Sequence, residues 1–466
     1  MKKYAVSILI VILMLVPTVV MAISGDRISL GYIYNPSKSH IEIVNSSNGN
    51  INTVSPTCLD LSFDGHLVVN NIFSQEFVTN MHEQNILVTP FLSNHWAKGK
   101  AQAALANAES LVNEIVDVIN MYDLDGINVD LENLNASDKD KLTEFMRILR
   151  EKLPEEKIVS IAVASNPDKL TFSWVAAYDY ENLAKYADYL VLMAYDEHSS
   201  GGVAGPVASI NFVEESVKSI LDSVSRDKVV LGMPLYGRFW KNENLEFGEE
   251  PTPGGEAIIL SQVERIASRY KTAMPMYNEF TGTATLTIEV ESGDNKAYVN
   301  GRYLEEGSYT IWYENEASIT RKLEVMNQYG LKGAALWAIG NEGSNFWNYY
   351  EKGFDNQEYE SEKSIQERKY YEEITRIMKT VKPPELTVPL KVDHKIEKAL
   401  KENTITDIEL FEPMEDEMVH LPQENKQIMV EPFLTNEIVI MREKNYKALE
   451  KISIVHMRRS CFLASY

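Results

Sequence analysis

Cysteine is nearly absent: Cys58 and Cys461 are the only two in 466 residues, which rules out a disulfide framework and a thiolate metal cluster. Positive charge is also short, with 45 Lys and Arg against 68 Asp and Glu and a formal charge of -23. That balance argues against nucleic acid and anionic membranes as partners. No second segment is apolar enough to span a bilayer once the N-terminal run is set aside. No Gly-rich phosphate loop follows the first predicted strand, and no His, Asp and Glu cluster has metal-ligand spacing, so neither cofactor nor metal is expected. Glycine stops at Gly353 and tryptophan at Trp347.

The chain that remains reads in three parts. Lys2 and Lys3 precede an apolar run from about Tyr4 to Val20 that ends with Val20 and Ala22 at the small-residue positions of a cleavage site. This predicts a secretory signal peptide over 1–22, with a retained anchor helix as the alternative. Residues 23–354 then alternate strand-like and helix-like stretches. Strands are predicted at Arg27–Tyr34, Cys58–Phe63, Ile86–Phe91, Asp125–Glu132, Ile158–Ala164, Tyr189–Tyr195, Lys228–Pro234 and Gly333–Ile339. Helical patterns include 101–122 and 137–153. Eight such units predict an α/β fold, a closed (β/α)8 TIM barrel whose functional face lies at the C-terminal strand ends. A doubly wound open sheet is the alternative. The long gap between strands seven and eight predicts a small β-rich insertion at about 240–315. Residues 355–466 read as a charged appendage whose role is not legible.

Asp125 to Glu132 (DGINVDLE) alternates apolar and polar residues. Period two puts Ile127, Val129 and Leu131 on one face and Asn128, Asp130 and Glu132 on the other, with Glu132 nearest the open end of a barrel. A parallel strand is ordinarily apolar on both faces, and desolvating two carboxylates is costly, so a chemical role is expected. A carboxylic acid at Glu132 can protonate a leaving group, and Asp130 beside it raises its pKa in the direction a general acid requires.

The stretch resembles the DxxDxDxE signature of glycoside hydrolase family 18, the chitinase family, through Asp125, Asp130 and Glu132. Other motifs fall in the family's order: Ser62-Phe63, Met193-Ala194-Tyr195-Asp196, Gly232-Met233-Pro234-Leu235-Tyr236-Gly237 and Trp337. The resemblance implies a retaining mechanism in which the substrate's own 2-acetamido group is the nucleophile. It implies catalytic roles for Glu132 as acid and then base, Asp130 as the group that orients the acetamido nitrogen, and Tyr195 as a donor to the acetamido oxygen. Asn128, Met193, Asp196, Trp337 and Tyr236 are expected to meet substrate, and Asp125 and Gly126 to serve the motif structurally.

Asn128 departs from the family, which usually carries Asp there. As an amide it is expected to offer Asp130 a neutral donor, leaving Asp130 charged to lower pH. Asn at this position, together with Ile311-Trp312-Tyr313-Glu314, Ser318 and Lys322, resembles the bacterial branch of spore cortical-fragment-lytic N-acetylglucosaminidases. Asn341 points the same way. The implied partner is an N-acetylglucosamine-containing glycan, peptidoglycan first and chitin next, met by an exported monomer with no membrane contact after signal cleavage. A catalytically dead sugar-binding protein is a further alternative, disfavoured by the intact Glu132. His95, Trp96 and His198 follow strand ends and are candidates to line the cleft.

Overall fold

The computed structural model describes residues 27–34, 39–70, 74–242 and 254–355. The predicted leader, the appendage from residue 356 onward and Cys461 lie outside the described residues. Eight parallel strands form the barrel: β1 (Ile28–Ile33), β2 (Thr53–Leu61), β3 (Phe91–Ser93), β4 (Gly126–Asp130), β5 (Ile158–Ala164), β6 (Tyr189–Met193), β7 (Val229–Pro234) and β8 (Gly333–Trp337). Each pairs with the next. β8 returns to β1 from Ile28↔Gly333 to Gly31↔Leu336, which closes the sheet.

Every residue of β6 and β7 is buried, because a barrel strand faces packed side chains inside and helices outside. The helix Ala108–Tyr122 supplies one such cover, burying Leu111, Val112, Ile115 and Ile119 along a single stripe. Helical pattern 101–122 is in fact two helices, divided at Asn107. β2 starts at Thr53, earlier than predicted, and stops at Leu61. Ser62 and Phe63 therefore leave the strand: the Ser62 hydroxyl donates to Asp64 in a turn, and Phe63 lies exposed beneath the Lys100 ammonium, 5.0 Å from its ring. The third predicted strand is broken. Leu87–Val88 and β3 flank Pro90, which has no N–H to give to a ladder.

The entry to β4 is fixed from below. Asp125 Oδ2 accepts a hydrogen bond from Val88 N at 2.7 Å and pairs with His82 Nε2 at 2.9 Å. At Gly126 a Cβ would stand 2.0 Å from the Ile158 carbonyl oxygen, so only glycine lets β4 and β5 approach there. Both residues thus hold the bottom of the strand whose top carries the acid.

The excursion between β7 and β8 is an antiparallel sheet of five strands, in the order Glu256–Ile259, Tyr236–Lys241, Gly307–Tyr313, Thr283–Val290 and Met274–Asn278. With the helix Leu260–Arg269 it encloses its own apolar cluster, including Phe239, Ile266, Leu286 and Ile311. Its return to the barrel explains the Glu314, Ser318 and Lys322 motif. Asn315 and Ser318 form a reciprocal capping box at the start of helix Glu316–Gln328. Lys322 Nζ donates to Glu314 Oε2 at 2.7 Å, with both side chains 1% exposed.

Candidate active site

Asn128 and Asp130 lie on β4, fully buried or nearly so, and Glu132 follows two residues beyond the strand's end. Period-two geometry thus delivers the acid to the C-terminal mouth while the rest of the row stays inside the barrel. Burial pushes the Glu132 carboxyl up to about 9, with repulsion from Asp130 and then Asp196 adding to it. Burial also pushes Asp130 up to about 7, against a smaller opposing pull from His95. A protonated carboxylic acid at Glu132 is therefore the neutral-pH form, as an acid catalyst requires. Desolvation, rather than the neighbouring charge alone, is the principal cause.

Asn128 does not act as the sequence suggested. Its Oδ1 accepts from Tyr32 Oη at 2.9 Å and its Nδ2 donates to Ser160 Oγ at 2.8 Å, so its amide is engaged with the neighbouring strands rather than with Asp130. Asp130 Oδ1 is buried with no hydrogen-bond partner among the described residues. The expectation that Asp130 stays charged to lower pH is corrected accordingly: an unassisted buried carboxylate moves upward.

Three tyrosines feel this pair, and a fourth packs on one of them. Tyr32 and Tyr195 both feel the charges of Asp130 and Glu132, and burial holds both phenols well above their ordinary value, so each remains an O–H donor. Tyr178 behaves likewise and donates from Oη to the Leu131 carbonyl at 3.0 Å. Tyr236 packs edge-on to Tyr195 with centroids 6.4 Å apart and donates to Asp196 Oδ1 at 2.7 Å. The same oxygen accepts from Arg238 Nη2 at 2.7 Å and Nε at 3.1 Å. Asp196 is exposed and has a left-handed backbone, φ 60°. Met193 closes β6 below it, its carbonyl accepting from Ser165 Oγ. Trp337, half-buried at the end of β8, stands edge-on to Tyr32 and Phe91 at 5.2 and 5.7 Å. Its peptide bond to Ala338 is cis.

His95 pairs with Asp60 at 2.6 Å and is close enough to influence Asp130. Trp96, half-exposed, packs on Trp174 at 4.9 Å, which in turn meets Tyr178. His198 instead faces the Val203 carbonyl within its own loop. Sequence reading missed Asn94, Tyr178 and Arg238. Only Arg238 left a signal, being two residues beyond Tyr236 on an alternating strand. Among the described residues, no group of three His, Cys, Asp or Glu side chains is arranged to hold a metal ion.

The arrangement has relatives. The uncharacterized glycosylase YvbX of Bacillus subtilis is 28% identical over 52% of this chain and 64% of its own length. The cortical fragment-lytic enzyme of the same organism is 25% identical over 51% of each. The chain thus spans between half and just under two thirds of these curated relatives. A crystal structure of a chitinase from Chromobacterium violaceum superposes with a TM-score of 0.61 at 23% identity, covering 70% of this chain and 98% of that one, which shows a shared fold. Residues 90–342, more than half of the chain and including β3 to β8 with the whole acidic row, match the family described as glycosyl hydrolases family 18, and the chain belongs to that family.

Proposed function

We propose that the chain is a retaining, substrate-assisted glycosidase that cleaves β-1,4 bonds following N-acetylglucosamine in peptidoglycan or its fragments. The observation that carries this reading is the raised Glu132 carboxyl two residues past the buried Asp130, with the Tyr195 phenol within the electrostatic reach of both. In the first step Glu132 gives its proton to the glycosidic oxygen as the C1–O bond breaks. The acetamido oxygen closes on C1 to form an oxazolinium ion. Asp130 faces the acetamido nitrogen and balances the positive charge, and Tyr195 donates to the acetamido oxygen. Glu132, now a carboxylate, takes a proton from the water that reopens the ring at C1, and the acid is restored.

Asp196 binds sugar hydroxyls through its other carboxylate oxygen, its Oδ1 being held by Tyr236 and Arg238, and Trp337 supplies an apolar face for a pyranose ring. Asn128 and Met193 shape the floor. The preference for peptidoglycan rests on the cortical fragment-lytic relative and on the amide at Asn128. The Lys2-Lys3 apolar leader supports action outside the cytoplasm, by a monomer in this reading.

The test is incubation of the purified full-length protein, and its Glu132→Gln variant, with cortex muropeptides and with chitin oligomers. Cleavage of muropeptides that vanishes in the variant supports the proposal. Cleavage of chitin alone moves the substrate to chitin, and cleavage of neither points to a sugar-binding protein without turnover.

A further inference from the structure

Glu132 sits where β4 has run out of ladder. The last pairing of β3 with β4 is Ser93↔Asp130, and the next residues of the β3 loop cannot extend it, because His95 and Trp96 both adopt left-handed backbone with φ of 47° and 62°. The main chain there turns away. Asn94, fully buried, replaces the missing rung with its side chain: Glu132 N donates to Asn94 Oδ1 at 2.8 Å, and Asn94 Nδ2 donates to the Glu132 carbonyl at 2.9 Å. Both polar atoms of the amide are thus committed to the backbone of one residue.

Two further bonds reinforce this clasp. Asn133 Nδ2 donates to the Trp96 carbonyl at 3.0 Å, and Tyr178 Oη holds the Leu131 carbonyl from the β5 side. The Glu132 carboxyl itself has no hydrogen-bond partner among the described residues, so its place is inherited from its backbone.

We infer that Asn94 is a positioning residue for the general acid, setting where the Glu132 carboxyl meets the leaving oxygen. The inference rests on the glycosidase reading. Its consequence is selective in the bond-breaking step, which kcat/KM reports: only leaving groups that need the proton suffer there when Asn94 is lost. A glycosidic oxygen of a second sugar leaves with the acid's help, whereas a dinitrophenolate departs without it. An acid displaced by about 1 Å costs on the order of 100-fold in the first case and little in the second.

The experiment measures kcat and KM for wild type, Asn94→Ala and Asn94→Asp on an N-acetylglucosamine oligosaccharide and on the 2,4-dinitrophenyl glycoside of the same sugar. Asn94→Asp keeps the acceptor for Glu132 N, loses the donor to its carbonyl and matches the native shape, so it remains informative if the alanine variant fails to fold. Expected is a fall in kcat/KM of roughly 10- to 100-fold on the oligosaccharide, with kcat/KM for the aryl glycoside, whose first step needs no acid, within about threefold of wild type. In the aspartate variant the basic limb of the kcat profile also moves to higher pH, since a nearby negative charge raises Glu132 further. Equal losses of kcat/KM on both substrates, or a loss confined to thermal stability, overturn the inference while leaving the glycosidase reading intact. A wild type inert toward both substrates overturns that reading and the inference with it.

Discussion

Replacing Glu132 by glutamine is expected to abolish turnover and, at neutral and alkaline pH, to make the fold more stable. The folded carboxyl titrates at about 9, against an ordinary value of 4.5. Between those values the folded chain keeps a proton that the unfolded chain has released. With more protons bound when folded, this group's contribution is favourable below the ordinary range and declines as pH rises, by at most about 1.4 kcal/mol per pH unit. From about pH 5 to about pH 8 the decline from this one group amounts to roughly 3–4 kcal/mol. Glutamine does not titrate and keeps nearly the same shape, so the variant loses that slope. Urea denaturation of both proteins at steps across this range measures it: the two free energies should lie within about 1 kcal/mol at pH 5 and diverge steadily toward pH 8. Parallel curves, or a variant less stable throughout, would refute the claim that burial and the neighbouring carboxylates hold Glu132 protonated. The assay needs no substrate, so it tests the electrostatics apart from the choice of glycan.

Lys322→Met leaves Glu314 buried without its cation, and about 3–5 kcal/mol of stability should be lost in denaturant melts; adding Glu314→Gln should restore most of it, and strictly additive costs would show that the pair is uncoupled. Asn128→Asp offers Asp130 a protonated neighbour that can donate to its unpartnered Oδ1, which favours the charged form. The acidic limb of kcat/KM should therefore move to lower pH, and a limb that stays put removes proton sharing from the account. Arg238→Lys exchanges a two-point grip on Asp196 for a point charge. KM should rise by roughly 3- to 10-fold with a smaller change in kcat, and a kcat-only defect would separate Asp196 from substrate binding.

Strand count and order were legible because β6 to β8 are apolar runs at βα spacing and β5 is broken only by Ser160, and the acidic row because desolvating carboxylates in a buried parallel strand is costly. The places where reading failed share a physical origin. Pro90 breaks the third strand locally, which its own chemistry announces, but the early start of β2 at Thr53 depends on pairing with β1. Asn128 was assigned to Asp130 from adjacency on one face, whereas the structure commits its amide sideways, to Tyr32 on β1 and Ser160 on β5. Asn94 and Tyr178 act across loops separated from Glu132 by 38 and from Leu131 by 47 positions, contacts that no local pattern encodes. The Glu314, Ser318 and Lys322 motif was visible as a resemblance, yet its meaning as a cap and a buried ion pair needed the helix and strand to be seen together.

The sheet between β7 and β8 is anchored at both of its roots, by Tyr236 and Arg238 on Asp196 at its start and by the Lys322 and Glu314 pair at its end. Its outer hairpin, where Tyr298 and Tyr303 stand exposed, hangs from those roots through a separate apolar cluster. Mechanical insulation of this kind makes the excursion evolvable. Substitutions or length changes at the hairpin are absorbed within that cluster, while the acid and its clasp keep the same coordinates.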